Sequence, residues 1–215
     1  LILYYLKNGR TNIALYEAQK MLKEAQEEDD KTGLSRCYNI MSQIYTVKRL
    51  DSMAFEWQLK EIELTEKYDL ENYNISQTYS QISSYYINTN QPEKALEALK
   101  KADATAYSPT QKISVQLEYV NYYSKFGDMQ AAEKILNECK TAFDQDKRLW
   151  SIKKRLYNIE YVYYLQSKQY PKALEAAKKQ EAEELNLSES IQNSVHYLTK
   201  GKIYSNMGNM SEAIK

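Results

Sequence analysis

A tyrosine followed nine residues later by an alanine recurs along the whole chain, at Tyr5/Ala14, Tyr45/Ala54, Tyr86/Ala95, Tyr123/Ala132, Tyr164/Ala173 and Tyr204/Ala213. The steps between successive tyrosines are 40, 41, 37, 41 and 40 residues. Coincidence does not hold a register six times over, so the chain is built from a repeated unit, and this constrains the fold more than any local propensity. Four residues after the tyrosine stand Gly9, Gly127 and Gly208, where a helix can end in a left-handed residue that glycine adopts at no steric cost. Asp128 and Asn209 follow directly as good N-caps. Pro92, Pro171 and Ser108-Pro109 mark other helix starts, where a missing N–H costs nothing.

Each unit therefore reads as helix A, tight turn, helix B. The frames are 1–30, 32–69, 71–107, 109–145, 147–187 and 188–215, with the first and last units incomplete. Together they form a single domain, 1–215. Three residues before the tyrosine, Ser42, Ser83, Val120 and Gly201 are small enough for close helix approach, while Ile2 and Tyr161 are bulkier. In the third unit Ala95, Leu96, Leu99 and Ala102 draw an apolar stripe at helical spacing. One hairpin cannot bury such a stripe; stacked hairpins can, which makes the fold an all-α solenoid. Five glycines and three prolines in 215 residues suit this helix-rich reading.

The pattern resembles the tetratricopeptide repeat family, whose signature is W-x2-L-G-x2-Y, then A-x3-F, then P. The sixth unit carries it most fully, with Tyr197 in the Trp place, then Gly201, Tyr204, Gly208 and Ala213. The other units keep the Tyr and the Ala and replace the Gly. Units of about forty residues rather than 34 imply helices about one turn longer. The long variant is similar to repeats of bacterial signalling proteins, including sensor kinases and transcriptional regulators. The resemblance implies a right-handed α-α superhelix whose A helices line a concave groove, and a noncovalent role in binding a peptide or protein segment.

Helix geometry then locates the groove. Positions nine, six and two before the repeated Tyr, and one after it, form one stripe. From it we expect Arg36, Asn39 and Gln43 of the second unit, Gln77, Ser80 and Ser84 of the third, and Asn121 of the fourth to face a ligand. Arg155 and Asn158 of the fifth and Lys202 of the sixth complete the set. Amides donate and accept, so a row of them suits an extended peptide backbone, and the cations suit a carboxylate. The repeated tyrosines are expected in the inter-helix seam; their neighbours Tyr85, Tyr122 and Tyr163 are the better ligand candidates among the tyrosines, with packing the favoured reading for them too.

Other chemistry finds no support. His196 is the only histidine, and no Asp or Glu stands three or four residues from it. No phosphate-binding glycine loop occurs, so we expect no catalytic residues, no metal, no cofactor and no enzyme. Cys37 and Cys139 fall in different units and read as buried thiols. The acidic run Glu24 to Asp30 and the basic run Lys147 to Arg155 read as solvated charge. With 29 basic and 29 acidic side chains the chain has no net charge, which argues against nucleic acid as partner. No apolar run reaches the ~20 residues of a membrane span.

The chain begins Leu1-Ile2-Leu3 without Met and stops at Lys215 inside a helical pattern, so it reads as part of a larger protein, cytoplasmic or periplasmic. Two alternatives stand beside peptide binding. One is self-association through the apolar edge left where the sixth unit is cut, giving a homo-oligomer. The other is carbohydrate binding through exposed Tyr, Trp57 or Trp150.

Overall fold

The nine-residue spacing between Tyr and Ala is set by two consecutive backbone hydrogen bonds. The carbonyls of Tyr5, Tyr45, Tyr86 and Tyr164 accept the amides of Arg10, Leu50, Gln91 and Gln169, five residues on, at 2.8 to 3.0 Å. Those four residues in turn accept the N–H of Ala14, Ala54, Ala95 and Ala173 at 3.0 to 3.1 Å, the first bond of helix B. Tyr thus closes one helix and Ala opens the next. At Tyr123 the turn is tighter: Gly127 donates to the Tyr123 carbonyl and Ala132 to the carbonyl of Asp128, both at 3.0 Å. The Asp128 side chain also caps helix B by accepting from the Ala131 amide.

This turn needs a left-handed residue four places after the tyrosine. Gly9, Gly127 and Gly208 supply it with φ of 70, 98 and 74°. Arg49, Asn90 and Lys168 occupy the same position in the other units with φ of 60, 59 and 59°. The sequence reading marks only the glycines. Sterics favour glycine here, but two hydrogen bonds per turn are enough to hold arginine, asparagine or lysine in its place.

The computed structural model describes residues 1–184, 189–208 and 213, and falls into two compact units. The first unit, Leu1–Thr105, contains α1 (Ile2–Lys7), α2 (Thr11–Glu27), α3 (Lys31–Val47), α4 (Asp51–Tyr68), α5 (Ile75–Asn88) and α6 (Pro92–Thr105). The second, Ala106–Lys215, contains α7 (Pro109–Phe126), α8 (Met129–Gln145), a 3-10 turn (Lys147–Ile152), α9 (Lys153–Gln166), α10 (Tyr170–Glu184) and α11 (Glu189–Asn206). No strand occurs among the described residues. The pairs α1/α2, α3/α4, α5/α6, α7/α8 and α9/α10 are antiparallel hairpins, so the fold is all-α and of the helical-repeat type.

The A helix of the fifth frame starts late, at Lys153, because the Asp146 side chain accepts from the Arg148 amide and caps the 3-10 turn ahead of it. Ser108 and Gln111 form a reciprocal capping box at the start of α7, with Pro109 in the first turn.

Each hairpin closes on its alanines. Ala14, Ala95, Ala132 and Ala173 have no exposed surface. Ala54 is buried, and on the facing helix of its hairpin Tyr45 packs against the cluster of Ala14, Ala18, Met41 and Ile44. In α6 the buried stripe is Ala95, Ala98, Leu99 and Ala102. Small residues three before the tyrosine act as expected: the Ser83 hydroxyl donates to the Ala95 carbonyl at 3.0 Å, and a Cβ on Gly201 would lie 3.0 Å from the Ala213 carbonyl oxygen. Tyr163 is buried, Tyr85 stacks on Phe55 at 4.0 Å between ring centres, and Tyr122 packs on Phe126. The side chains of Val195 and His196, and nearly all of the sixth unit's B helix, lie outside the described residues.

Candidate ligand-binding site

The polar interior of the first unit is organised by a carboxyl group. On α4 the face turned inward carries Ala54, Gln58, Glu61, Ile62 and Thr65, so helical spacing alone puts Glu61 in the core, where it is 1% exposed. Burial of a carboxylate demands donors. Asn39 Nδ2 on α3 donates to both carboxylate oxygens at 3.1 and 3.2 Å, and Thr78 Oγ1 on α5 donates at 3.0 Å. Asn72 Nδ2 donates at 2.9 Å from the connection between α4 and α5.

Local chain geometry places Asn72. Asp69 ends α4 in the left-handed region, and the Leu70 amide turns back to the Thr65 carbonyl. The Asn72 Oδ1 then accepts the Asn74 amide at 2.9 Å, a side-chain turn that points the other end of the amide inward. There Asn72 Nδ2 also approaches Ser35 Oγ at 3.3 Å and Thr65 Oγ1 at 3.4 Å. Burial raises the Glu61 pKa above its ordinary value, and the bonds from Asn72, Asn39 and Thr78 oppose the rise without cancelling it.

A cavity of about 500 Å³ opens over this network. Arg36, Asn39 and Gln43 line it from α3, and Leu70, Asn72, Tyr73 and Asn74 line it from the connection, with Leu3 and Ile40 as apolar wall. Three of the ten residues expected to face a ligand thus share one cavity. Gln43 Nε2 donates to Asn39 Oδ1 at 2.6 Å, so the two amides present themselves as one unit, and Arg36 is exposed at the rim.

The other expected residues are placed differently. Ser80 is 1% exposed and its hydroxyl donates to the Ser76 carbonyl at 3.0 Å, so it belongs to the interior. Gln77 is exposed on α5 and Ser84 is half-buried there. Asn121 and Arg155 meet at a second buried carboxylate: Asn121 Nδ2 reaches Glu118 Oε1, and the Arg155 guanidinium reaches Glu118 Oε2, each at 2.8 Å. Arg155 is accordingly committed to Glu118. Asn158 and Lys202 are exposed on α9 and α11.

Sequence reasoning missed Glu61, Asn72 and Thr78. The signal for Glu61 was its seven-residue spacing from Ala54 on the inward stripe, where a charged residue signals an internal polar network. The second unit has its own smaller cavity, of about 370 Å³, floored by Glu160 and edged by Lys140, Lys179 and Trp150. Lys140 Nζ pairs with Glu160 at 2.9 Å. Among the described residues no group of three or more His, Cys, Asp or Glu is gathered as a metal site would need, and no helix is long and apolar enough to cross a membrane.

Residues 46–178, more than half of the chain, match the family model described as 26S proteasome subunit RPN7, and residues 197–215 match the model for the tetratricopeptide repeat. Among solved structures, PilW, a widely conserved type IV pilus biogenesis factor, superposes with a TM-score of 0.62 at 17% identity, covering 99% of this chain and 86% of PilW. BtubC from P. vanneervenii superposes with a TM-score of 0.57 at 15% identity, covering 95% and 87%. No curated protein matches by sequence. At these identities the structural likeness is one of fold.

Proposed function

Because the chain belongs to the helical-repeat family described as 26S proteasome subunit RPN7 and has the tetratricopeptide architecture, we propose that it is a noncovalent binding module for an extended peptide or protein segment, held at the cavity of the first unit. Tetratricopeptide-type repeats generally mediate protein–protein interaction. The observation that carries the reading here is the lining of that cavity. Gln43 and Asn74 present amides, held in place by the internally bonded Asn39 and Asn72, and such amides match the alternating donors and acceptors of a peptide backbone beside an exposed cation at Arg36. The cavity is large enough to take a few residues of chain. No covalent step is assigned to it.

Titrating fluorescein-labelled heptapeptide pools and reading anisotropy tests the proposal. Binding that falls at least five-fold in a Gln43→Ala, Asn74→Ala double variant, and is unchanged in Lys202→Ala, supports it. Binding that is indifferent to the cavity variants refutes it. We further propose that the module is the sensing or interaction region of a larger bacterial signalling protein, a sensor kinase or a transcriptional regulator. The repeat length of about forty residues supports this, and the full-length gene product decides it by what adjoins the repeats.

A carbohydrate-binding reading is carried by Trp150, 54% exposed at the edge of the second unit's cavity. Tryptophan fluorescence that stays constant on titration with oligosaccharides removes it. The self-association reading rested on the apolar edge of the sixth unit's B helix, which lies outside the described residues.

A further inference from the structure

Three glutamates among the described residues are buried: Glu61 at 1% exposure, Glu118 at 3% and Glu160 at 5%. An ionised carboxylate removed from water is costly unless a cation meets it, and folded chains normally supply one. Glu118 has Arg155 at 2.8 Å and Glu160 has Lys140 at 2.9 Å. Glu61 is held only by the neutral donors Asn39, Asn72 and Thr78. These three residues make four hydrogen bonds, two to each oxygen, which fills the roughly four acceptor positions of a carboxylate with neutral donors, so a cation reaches Glu61 by displacing one of them. The position without an internal cation is also the one that lines the larger cavity.

The cavity wall adds two more charged groups, Arg36 and Glu71. Arg36 lies one turn before Asn39 on α3, yet it is exposed and forms no ion pair with Glu61. With both carboxyl groups ionised, the wall carries two negative charges against one positive. Ile40 and Leu70 offer apolar surface at the same mouth, of the sort along which the methylene stem of a lysine or arginine packs while its head stays with a polar partner.

We infer that the cavity receives a lysine or arginine side chain of the bound peptide, whose charged head supplies Glu61 with the cation that the fold withholds. The inference rests on the peptide-binding reading above and names what that peptide must carry. Arg36, exposed at the rim and not paired with Glu61, leaves that role to a delivered cation. Charge-assisted hydrogen bonds of this kind separate a basic from an isosteric neutral side chain by about ten-fold in affinity.

The test uses the whole chain and acetylated, fluorescein-labelled heptapeptide pools with randomised neutral flanks. The central residue is lysine, arginine or norleucine, and anisotropy is read at neutral pH. Lysine and arginine pools are expected to bind about ten-fold tighter than the norleucine pool. Glu61→Gln, which keeps the size of the side chain, is expected to erase that preference. Arg36→Ala removes the one positive charge of the cavity wall and is expected to widen the preference, so it decides the matter even if Glu61→Gln fails to fold. Equal binding of all three pools overturns the inference but leaves peptide binding intact, as does a lysine preference that survives Glu61→Gln. Binding of no pool overturns both.

Discussion

The hydroxyl of Ser83 on α5 donates to the carbonyl of Ala95 on α6 at 3.0 Å, tying the two helices of the third hairpin together one turn from their connection. Ser83 stands three residues before the repeated tyrosine and Ala95 nine after it, so the bond joins two positions of the repeat frame. In the sixth unit Gly201 holds the serine's place, and a Cβ there would lie 3.0 Å from the Ala213 carbonyl oxygen. In the third hairpin a side-chain bond spans this close approach, and in the sixth unit the position carries no side chain.

Ser83→Ala is therefore expected to cost about 1 kcal/mol, the usual net value of a buried hydrogen bond. Ser83→Leu adds volume where the helices touch and is expected to cost about 3 kcal/mol or more. Urea unfolding followed by circular dichroism ranks the two variants, and equal midpoints would show that helix approach at this position is not limited by side-chain size.

The left-handed turn position gives an opposite prediction. Lys168 holds φ of 59° where three other units have glycine. A left-handed residue with a Cβ costs about 1 kcal/mol more than glycine, so Lys168→Gly should raise stability by up to about 1 kcal/mol. Gly127→Ala should lower it by a similar amount, although a Cβ there would meet nothing within 4 Å, because the penalty is in the backbone alone. The two substitutions, measured in one urea series, should move the midpoint in opposite directions.

How far the site could be read from sequence follows from the same frame. Tyr, Ala and Gly mark backbone events that every hairpin must repeat, so their register exposed the fold, the hairpin limits and the turn positions. Arg49, Asn90 and Lys168 escaped notice because ordinary residues can be held in a left-handed turn by hydrogen bonds that leave no trace in composition. Arg36, Asn39 and Gln43 were found by helical spacing on α3. Glu61 and Asn72 were not, since the first lies on a B helix, away from the A-helix stripe, and the second lies in a connection whose course no periodicity describes. Ser80 shows the reverse error: a polar residue on the expected face was read as available, while its neighbours bury it and its own helix satisfies it.

Glu61 predicts a pH dependence. Burial holds its folded pKa above the ordinary value, despite the bonds from Asn72, Asn39 and Thr78. From about pH 4.3, where an unfolded glutamate releases its proton, up to the raised folded value, the native state binds more protons than the unfolded chain. In that window stability contributed by this group falls as pH rises. Glu61→Gln should remove the fall, making the variant more stable relative to wild type at pH 7 than at pH 4. Thermal midpoints of both proteins across that range check the sign, and parallel profiles would mean that folding leaves the pKa of Glu61 unchanged.

The thiols should be inert. Burial pushes Cys139 up to about 12 and raises Cys37 as well, and the thiolate is the reactive form. Neither should react with Ellman's reagent at pH 8 in the native protein, and both should react promptly in urea. Fast native labelling of either residue would place it in a segment that opens locally.

Arg155 and Glu118 provide the last prediction. The guanidinium meets a carboxylate that is only 3% exposed, and the side chain of Arg155 is itself two-thirds buried, at 32% exposure. Removing the cation alone by Arg155→Met keeps most of the packing volume but strips Glu118 of its counter-charge, at a cost of about 3 kcal/mol. Substituting both, Arg155→Met with Glu118→Gln, removes the buried charge together with its partner and should recover most of that loss. A double variant as unstable as Arg155→Met would mean that the guanidinium acts through packing of its stem on α7 rather than through its charge. A double-mutant cycle in urea separates the two, because only a charge pair gives a large coupling energy between these two positions.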